Sequence, residues 1–362
     1  MSRAPCVLVM AGGTGGHIFP GLALAEALLA RGWRVHWLGA PGSMEERLVP
    51  PRGLPFEPVA FGGLRGKGLL TAALLPLRLL KAFWQSWRVV RRVQPDVVVG
   101  LGGYITFPGG MMAVLAGKPV LLHEQNAVAG LANKVLAGVA DGVFGAYPHV
   151  LPQSVWVGNP LRAPFLQQAE PAVRFQGRSG PLRVLVVGGS LGAQALNTHV
   201  PQALALLPAD QRPVVTHQSG DKQIEALRQA YAAAGVDATL LPFIDNMAQA
   251  CAEADVVIAR AGASTVTELA AVGAAAVFVP FPHAVDDHQT HNARFLVDAG
   301  AAHLLPQHQL NARVLADLLT CLDRPALLDM AQKARALAQT GAVDALVRAC
   351  EQQAGVDTRP TT

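Results

Sequence analysis

One arrangement occurs twice in this chain and narrows its fold more than any other feature. Residues 7–10 (VLVM) form a short apolar run. Gly12, Gly13, Gly15 and Gly16 follow around Thr14, then His17, then an apolar-periodic run over residues 22–29. The run reads as a buried strand and the periodic stretch as a helix, so the glycines lie where a strand turns into a helix. At residues 183–193 (RVLVVGGSLGA) the same order returns, with Gly188, Gly189 and Gly192 at the turn. This is a repeat of design and not of sequence. A strand, a glycine turn and a helix open a parallel α/β sheet, and such sheets bind ligands at the carboxyl ends of their strands. Two openings in 362 residues predict two doubly wound domains.

The rest of the chain fits that plan. Residues 35–38, 97–101 and 120–123 read as further strands of the first half, and 213–217, 239–244, 256–259 and 275–280 as strands of the second. Residues 167–180 are polar with few apolar side chains and read as a linker between domains. A dinucleotide enzyme would want an acid closing the second strand of a half. The chain has Leu38-Gly39-Ala40 in one half and His217-Gln218 in the other, which argues against a nicotinamide dehydrogenase.

Hydrophobic residues make up 51% of the chain and charged ones 15%, as in a well-buried globular protein. The formal net charge of +4 favours an acidic partner. No basic run is interleaved with aromatics, so nucleic acid ranks last among such partners. Cys6, Cys251, Cys321 and Cys350 are scattered without metal or redox spacing, which fits structural thiols in a reducing compartment. The first apolar stretch is too short for a signal peptide, and no apolar run approaches the roughly 20 residues of a membrane-spanning helix. Any membrane contact is expected to be peripheral.

The polar residues at the predicted strand ends are the candidates for chemistry. In the first loop, amide hydrogens and a helix N-terminus suit an anion, and His17 is the one side chain there able to move a proton near neutral pH. A turn that only packs a helix on a sheet is the plainer alternative. Tyr104, in LGGYITFPGG, and Glu124-Gln125-Asn126 should gather at the same sheet edge. Further on, Leu77, Leu80, Phe83, Trp84, Trp87 and Val90 share one face at helical spacing, beside a stripe of Arg78, Lys81, Arg88 and Arg92. That helix reads either as core with a basic flank or as a surface dipping into an anionic bilayer. Gly62 to Gly68 (GGLRGKG) reads as a charged loop near it.

In the second half a strand ends in Arg260. Gly262 and Ala263 turn the chain, and Ser264 or Thr265 is expected to cap the next helix. Glu268 could hold the two hydroxyls of a ribose, or form a capping box with Thr265. Asp286, Asp287, His288 and His291 match no strong metal template, and sugar recognition by these polar groups is the simpler reading. The tail from residue 356 is expected to fray.

GGTGGHIFPGLA, GLRGKG, GGYITFPG, HEQN, GNPLR, VVGGSLGA, FIDNM, RAGASTVTELAAVG and PFPHAVDDHQTHNA occur in this order. The set resembles the MurG family of bacterial glycosyltransferases from about residue 7 to about residue 350. The resemblance implies the GT-B fold, two Rossmann-like domains facing across a cleft. The first would span residues 1–162 plus about 341–362 and face acceptor and membrane; the second, 163–340, would bind UDP-GlcNAc. It implies an inverting transfer of GlcNAc from UDP-GlcNAc to the C4 hydroxyl of MurNAc in lipid I, in peptidoglycan synthesis. The setting would be the cytoplasmic face of the inner membrane, with an anionic lipid surface and other cell-wall synthesis proteins as neighbours.

By motif, Ile244 would face uracil, Arg260 lie by the nucleotide and Glu268 hold the ribose. Ala263, Ser264 and Thr265 would offer amides and hydroxyls to the diphosphate with Ser190, Val266 and Thr267 would count with them as substrate-binding residues, and Gln289 would read GlcNAc hydroxyls. Arg162 would balance phosphate charge, while Thr14, Gly15, Gly16 and Asn126 would close over the donor sugar. Many family members have glutamine where this chain has Leu191, which removes any side-chain contact there. An inverting displacement needs a base, a stabilised leaving group and aligned substrates, and no covalent nucleophile. His17 is the candidate base and Glu124 its rival or helper. No cofactor is expected, and a metal-independent reaction is favoured. A UDP-GlcNAc 2-epimerase and a non-catalytic UDP-sugar-binding subunit are the alternatives.

Overall fold

The structure is a computed structural model that describes residues 3–62, 74–189 and 192–356. The expectations for Ser190, Leu191, the GLRGKG segment and the last six residues lie outside them. The chain divides into two compact units, Met1–Arg162 with Gln339–Thr362, and Ala163–Ala338.

The first unit is built on a seven-stranded sheet in the order β3-β2-β1-β4-β5-β6-β7. Its strands are β1 (Cys6–Met10), β2 (Arg34–Gly39), β3 (Phe56–Pro58), β4 (Val97–Gly100), β5 (Val120–Glu124), β6 (Gly142–Gly145) and β7 (Val155–Trp156). All pairings are parallel. The central strands β1, β4 and β5 are buried at every position, as expected for valine- and leucine-rich strands covered on both faces. On one face Val7, Val9, Ile18, Leu24 and Trp37 pack with Leu346, Val347 and Cys350 of the last helix, Ala342–Gln353. Leu8, Met10, Val98 and Leu122 pack on the other face with Val89 and Val90.

The second unit has a six-stranded sheet in the order β10-β9-β8-β11-β12-β13. Its strands are β8 (Arg183–Val187), β9 (Val214–Gln218), β10 (Thr239–Leu241), β11 (Val256–Ala259), β12 (Ala276–Phe278) and β13 (Ala302–Leu304), again all parallel. Its core runs from Val184 and Val186 through Ile258 and Val277 to Leu315 and Leu327.

The linker expectation for residues 167–180 is corrected. This stretch contains the helix Pro171–Phe175 and is docked on the second unit, with Phe175 in its core. Its polarity is consumed by carbonyls at helix ends and by a buried carboxylate. Arg174 donates to Ala252 O at 2.7 Å and Val272 O at 2.8 Å, and Arg178 donates to Asp255 Oδ1 at 2.7 Å. Cations at helix C-termini satisfy the last carbonyls and oppose the helix dipole.

Candidate active site

In the first unit, β1 leads into the glycine loop and the helix Gly15–Ala30. The loop is clamped from two sides. Gly12 N donates to Gly102 O at 3.3 Å, and a Cβ on Gly103 would lie 2.4 Å from Gly12 O, so only glycine lets the two loops touch. From the other side comes Glu45, 1% exposed. Its carboxylate accepts from Gly13 N and Ala40 N, both at 3.1 Å. Two amides that the anion reading counted on, those of Gly12 and Gly13, are therefore already bonded within the protein.

Thr14 is the N-cap of the helix without a side-chain capping bond. His17 Nδ1 lies 3.0 Å from Gly12 O and 3.3 Å from Thr14 Oγ1. A carbonyl oxygen can only accept, so this contact assigns the ring proton to Nδ1 and leaves Nε2 as the acceptor. Arg162 lies with its guanidinium 5.4 Å from the centre of the Phe19 ring, on the same helix as His17. Tyr104 follows Gly103 and is exposed. Glu124 ends β5 and is 2% exposed. Its oxygens accept from Asn126 N at 2.9 Å, Asn126 Nδ2 at 3.3 Å, Gly130 N at 3.1 Å and Asn133 Nδ2 at 2.9 Å. That bonding shapes the HEQN turn.

In the second unit, the helix Ala263–Val272 has Gly262 as its N-cap, with no side-chain capping bond. The expected Ser264 or Thr265 cap, and with it the capping box to Glu268, is thus not formed, because Gly262 already occupies the cap position. Ser264 Oγ is buried without a hydrogen-bond partner, at a helix N-terminus where anions are stabilised. Thr267 Oγ1 turns back to Ala263 O at 3.0 Å, and Val266 is buried, so these two side chains build the helix. Glu268 is half-buried one turn further along.

Arg260 is anchored at the sheet edge. It donates to Val279 O at 2.9 Å, Pro280 O at 3.0 Å and Gln307 Oε1 at 2.6 Å, and burial pushes its guanidinium below the ordinary arginine value. Gln289 Oε1 accepts from Phe281 N at 2.9 Å. Ile244 is buried shortly after β10. No group of three His, Cys, Asp or Glu side chains able to hold a metal ion forms among the described residues.

Two braces escaped the reading of the sequence. Gln218, at the end of β9, takes Gly189 N on its Oε1 at 3.2 Å and donates to Gly189 O at 3.2 Å and Pro242 O at 3.0 Å. Thus Gln218 supports the second glycine loop as Glu45 supports the first. The available signal was positional: Gln218 closes the strand next to its loop, and Glu45 lies on the short helix Met44–Leu48 that follows the strand next to its own.

The helix Leu75–Val93 divides the proposed apolar face. Val90 is fully buried, whereas Leu77, Leu80 and Trp84 are 65%, 64% and 57% exposed. Phe83 and Trp87 lie between, half-buried. The guanidinium of Arg88 stacks 4.7 Å from the Trp84 ring. No described helix is long and apolar enough to cross a membrane.

Comparison with known proteins extends these observations. Residues 7–145 match the glycosyltransferase family 28 N-terminal domain, and residues 183–348 match the family 28 C-terminal domain. A relative from Paracidovorax citrulli is 69% identical over 97% of this chain and 99% of its own. Another, from Verminephrobacter eiseniae, is 67% identical over 98% of this chain and 100% of its own. Both are named UDP-N-acetylglucosamine–N-acetylmuramyl-(pentapeptide) pyrophosphoryl-undecaprenol N-acetylglucosamine transferase. The crystal structure of MurG from Acinetobacter baumannii matches with a TM-score of 0.85 at 43% identity, over 96% of this chain and 99% of that one. The glycosyltransferase VinC, solved with dTDP, matches with a TM-score of 0.62 at 17% identity, over 96% of this chain and 100% of that one, a likeness of fold alone. With two parallel α/β units, the two family 28 domains and relatives of this identity along nearly its whole length, the chain belongs to the MurG family of glycosyltransferases and has the GT-B fold.

Proposed function

We propose that the chain transfers N-acetylglucosamine from UDP-N-acetylglucosamine to the C4 hydroxyl of MurNAc in undecaprenyl-pyrophosphoryl-MurNAc-pentapeptide, with inversion at the anomeric carbon. The observation that carries this reading is 69% identity, along 97% of the chain, to a transferase with that donor and acceptor in its name. The local geometry supplies the chemistry. His17 Nε2 takes the proton of the C4 hydroxyl as its oxygen attacks the anomeric carbon. The bond from that carbon to the UDP oxygen breaks, and its electron pair leaves with UDP. Charge growing on the diphosphate is met by the N-terminus of the helix Ala263–Val272 and by Ser264 Oγ. No covalent intermediate forms, and no metal is assigned to the reaction. Glu124, its carboxylate already taken up by Asn126, Gly130 and Asn133, acts by holding the HEQN turn and not as the base.

The experiment is turnover of UDP-N-acetylglucosamine with a soluble lipid I analogue. Release of UDP together with the disaccharide product is expected. UDP-sugar turnover without acceptor would favour the epimerase, and no turnover at any pH would favour a binding subunit.

Glu268 is assigned to the ribose hydroxyls. Glu268→Ala should therefore weaken UDP binding about tenfold or more, as loss of a charged hydrogen-bond partner does. Titration calorimetry with UDP and a deoxyribose analogue checks it: an equal loss for both ligands contradicts the role.

The exposed Leu77, Leu80 and Trp84, flanked by Arg78, Lys81 and Arg88, are assigned to an anionic membrane surface. We assign the protein a peripheral place on the cytoplasmic face of the inner membrane, a reading that these exposed apolar and basic side chains support. Leu80→Ser with Trp84→Ser should lower sedimentation with anionic vesicles several-fold and leave turnover of a soluble acceptor intact. Undiminished sedimentation returns the helix to a purely structural role.

A further inference from the structure

The peptide that joins Gly12 to Gly13 is gripped at both ends. Its N–H, on Gly13, donates to Glu45 Oε2 at 3.1 Å. Its carbonyl, on Gly12, lies 3.0 Å from His17 Nδ1 and takes the ring proton assigned to that nitrogen. The peptide is trans, so its N–H and C=O point in opposite directions within one rigid plane. A carboxylate, a peptide and an imidazole therefore stand in one hydrogen-bonded series.

The carboxylate is built into the fold. Glu45 is buried on the helix Met44–Leu48, and its Oε1 accepts from Ala40 N at 3.1 Å, just past the end of β2. Each oxygen thus takes one amide hydrogen, as a carboxylate does. Glycine on both sides gives it room. A Cβ on Gly12 would lie 2.6 Å from Glu45 Oε1, and one on Gly39 would lie 2.8 Å from Glu45 Cγ. Holding the loop needs only an acceptor at this place. A buried negative charge also acts on the ring, because the same peptide bonds both.

We propose that Glu45 is a positioning residue for His17, its carboxylate acting through the Gly12–Gly13 peptide to fix the ring and favour its protonated form. Drawing on the N–H makes the carbonyl oxygen more negative, and hydrogen bonds in series strengthen one another where water is excluded. When Nε2 takes the proton of the acceptor hydroxyl, the ring becomes a cation and Nδ1–H stays on Gly12 O. A negative charge behind the peptide favours that state. Glu45 takes up no proton, and no other reactant is needed. The relation is that of a buried aspartate to the histidine of a serine-protease triad, with a peptide inserted between them. The catalytic consequence rests on the base role proposed for His17; the electrostatic coupling does not.

Other ionisable groups stand on the surrounding elements. Glu46 and Arg47 share the helix of Glu45, with Glu46 bonded to Gly42 N, and Arg52 follows that helix. On β2 and β3, His36 is paired with Glu57, which also holds Arg92. Tyr104 follows Gly103, His123 and Glu124 end β5, and Arg162 stacks on Phe19. All are retained in Glu45 variants.

The test is the pH titration of histidine rings by NMR on the full chain, with the His17 signal identified by its loss in His17→Ala. Glu45→Gln removes the charge and keeps the shape. It should lower the His17 midpoint by about half a pH unit or more, and lower kcat several-fold while the donor KM holds. Glu45→Asp keeps the charge, so its midpoint should stay above that of Glu45→Gln although both loosen the loop. A midpoint unmoved or raised in Glu45→Gln, with the melting temperature alone lowered, overturns the proposal. So does a midpoint that falls equally in both variants, which reports a loosened loop and not a lost charge. If Glu45→Gln fails to fold, the parent decides: the Gly13 amide proton should move downfield at the His17 midpoint, and an amide proton that does not respond overturns the coupling. Expected midpoint shifts beside a fully active His17→Ala would uphold the coupling and remove the base assignment instead.

Discussion

Replacing His17 with alanine should lower kcat by about 10²–10⁴-fold, the contribution a positioned general base makes, and leave UDP-N-acetylglucosamine affinity unchanged. Donor binding is assigned to the second unit, whereas the His17 ring sits on the first, held by Gly12 O with Nε2 left as acceptor. Steady-state kinetics with a soluble acceptor separates this from the alternative in which His17 only contacts the acceptor pyrophosphate. That alternative predicts a raised acceptor KM with kcat retained. A kcat within twofold of the parent would remove His17 as the base.

Asp255→Ala should destabilise the second unit by about 3–5 kcal/mol, the cost of stranding buried charge when one partner of a buried pair is removed. The Asp255 side chain is fully buried between Arg178 at 2.7 Å and Arg324 at 3.1 Å, and it also accepts from Arg183 N at 2.9 Å. Burial pulls its carboxyl upward, but these donors outweigh burial and hold it below the usual carboxylate range. A carboxyl depressed in the folded state adds stability that is present above its unfolded value and is lost as pH falls through the folded value. The parent should therefore lose this stabilisation on acidification, and Asp255→Ala should lack that part of the dependence. Urea unfolding at neutral and acidic pH measures both. A loss below about 1 kcal/mol would place the pair among the weakly contributing ion pairs.

What the sequence made legible follows from where each constraint resides. The two glycine turns and the strands feeding them were readable because local backbone geometry demands those residues. Strands β3 and β6 were not: FEP and GVFG carry a proline, an acid or glycines where an apolar run was sought. Residues 167–180 read as solvated because most of the carbonyls that Arg174 and Arg178 satisfy, such as Ala252 O and Ala254 O, lie more than 70 positions away. Glu45 and Gln218 grip glycines 32 and 29 residues distant, and no local spacing reports such a pairing. Helical periodicity set Leu80, Trp84 and Val90 on one broad face, but only the packed sheet decides that Val90 is buried and Trp84 is not. In the second unit Arg260, Ala263, Ser264, Thr265 and Glu268 stood out at a strand end and helix start, while Ile244 and Ser190 were named from resemblance. The structure adds that Ser264 Oγ is buried without a partner and that Thr267 Oγ1 is turned inward.

The most direct measurement of the central claim is a crystal structure of the chain with UDP-N-acetylglucosamine bound. The account predicts the diphosphate at the amino end of the helix Ala263–Val272, within hydrogen-bonding distance of Ser264, with the ribose on Glu268. A diphosphate resting instead on the loop from Gly12 to Gly16 would contradict it.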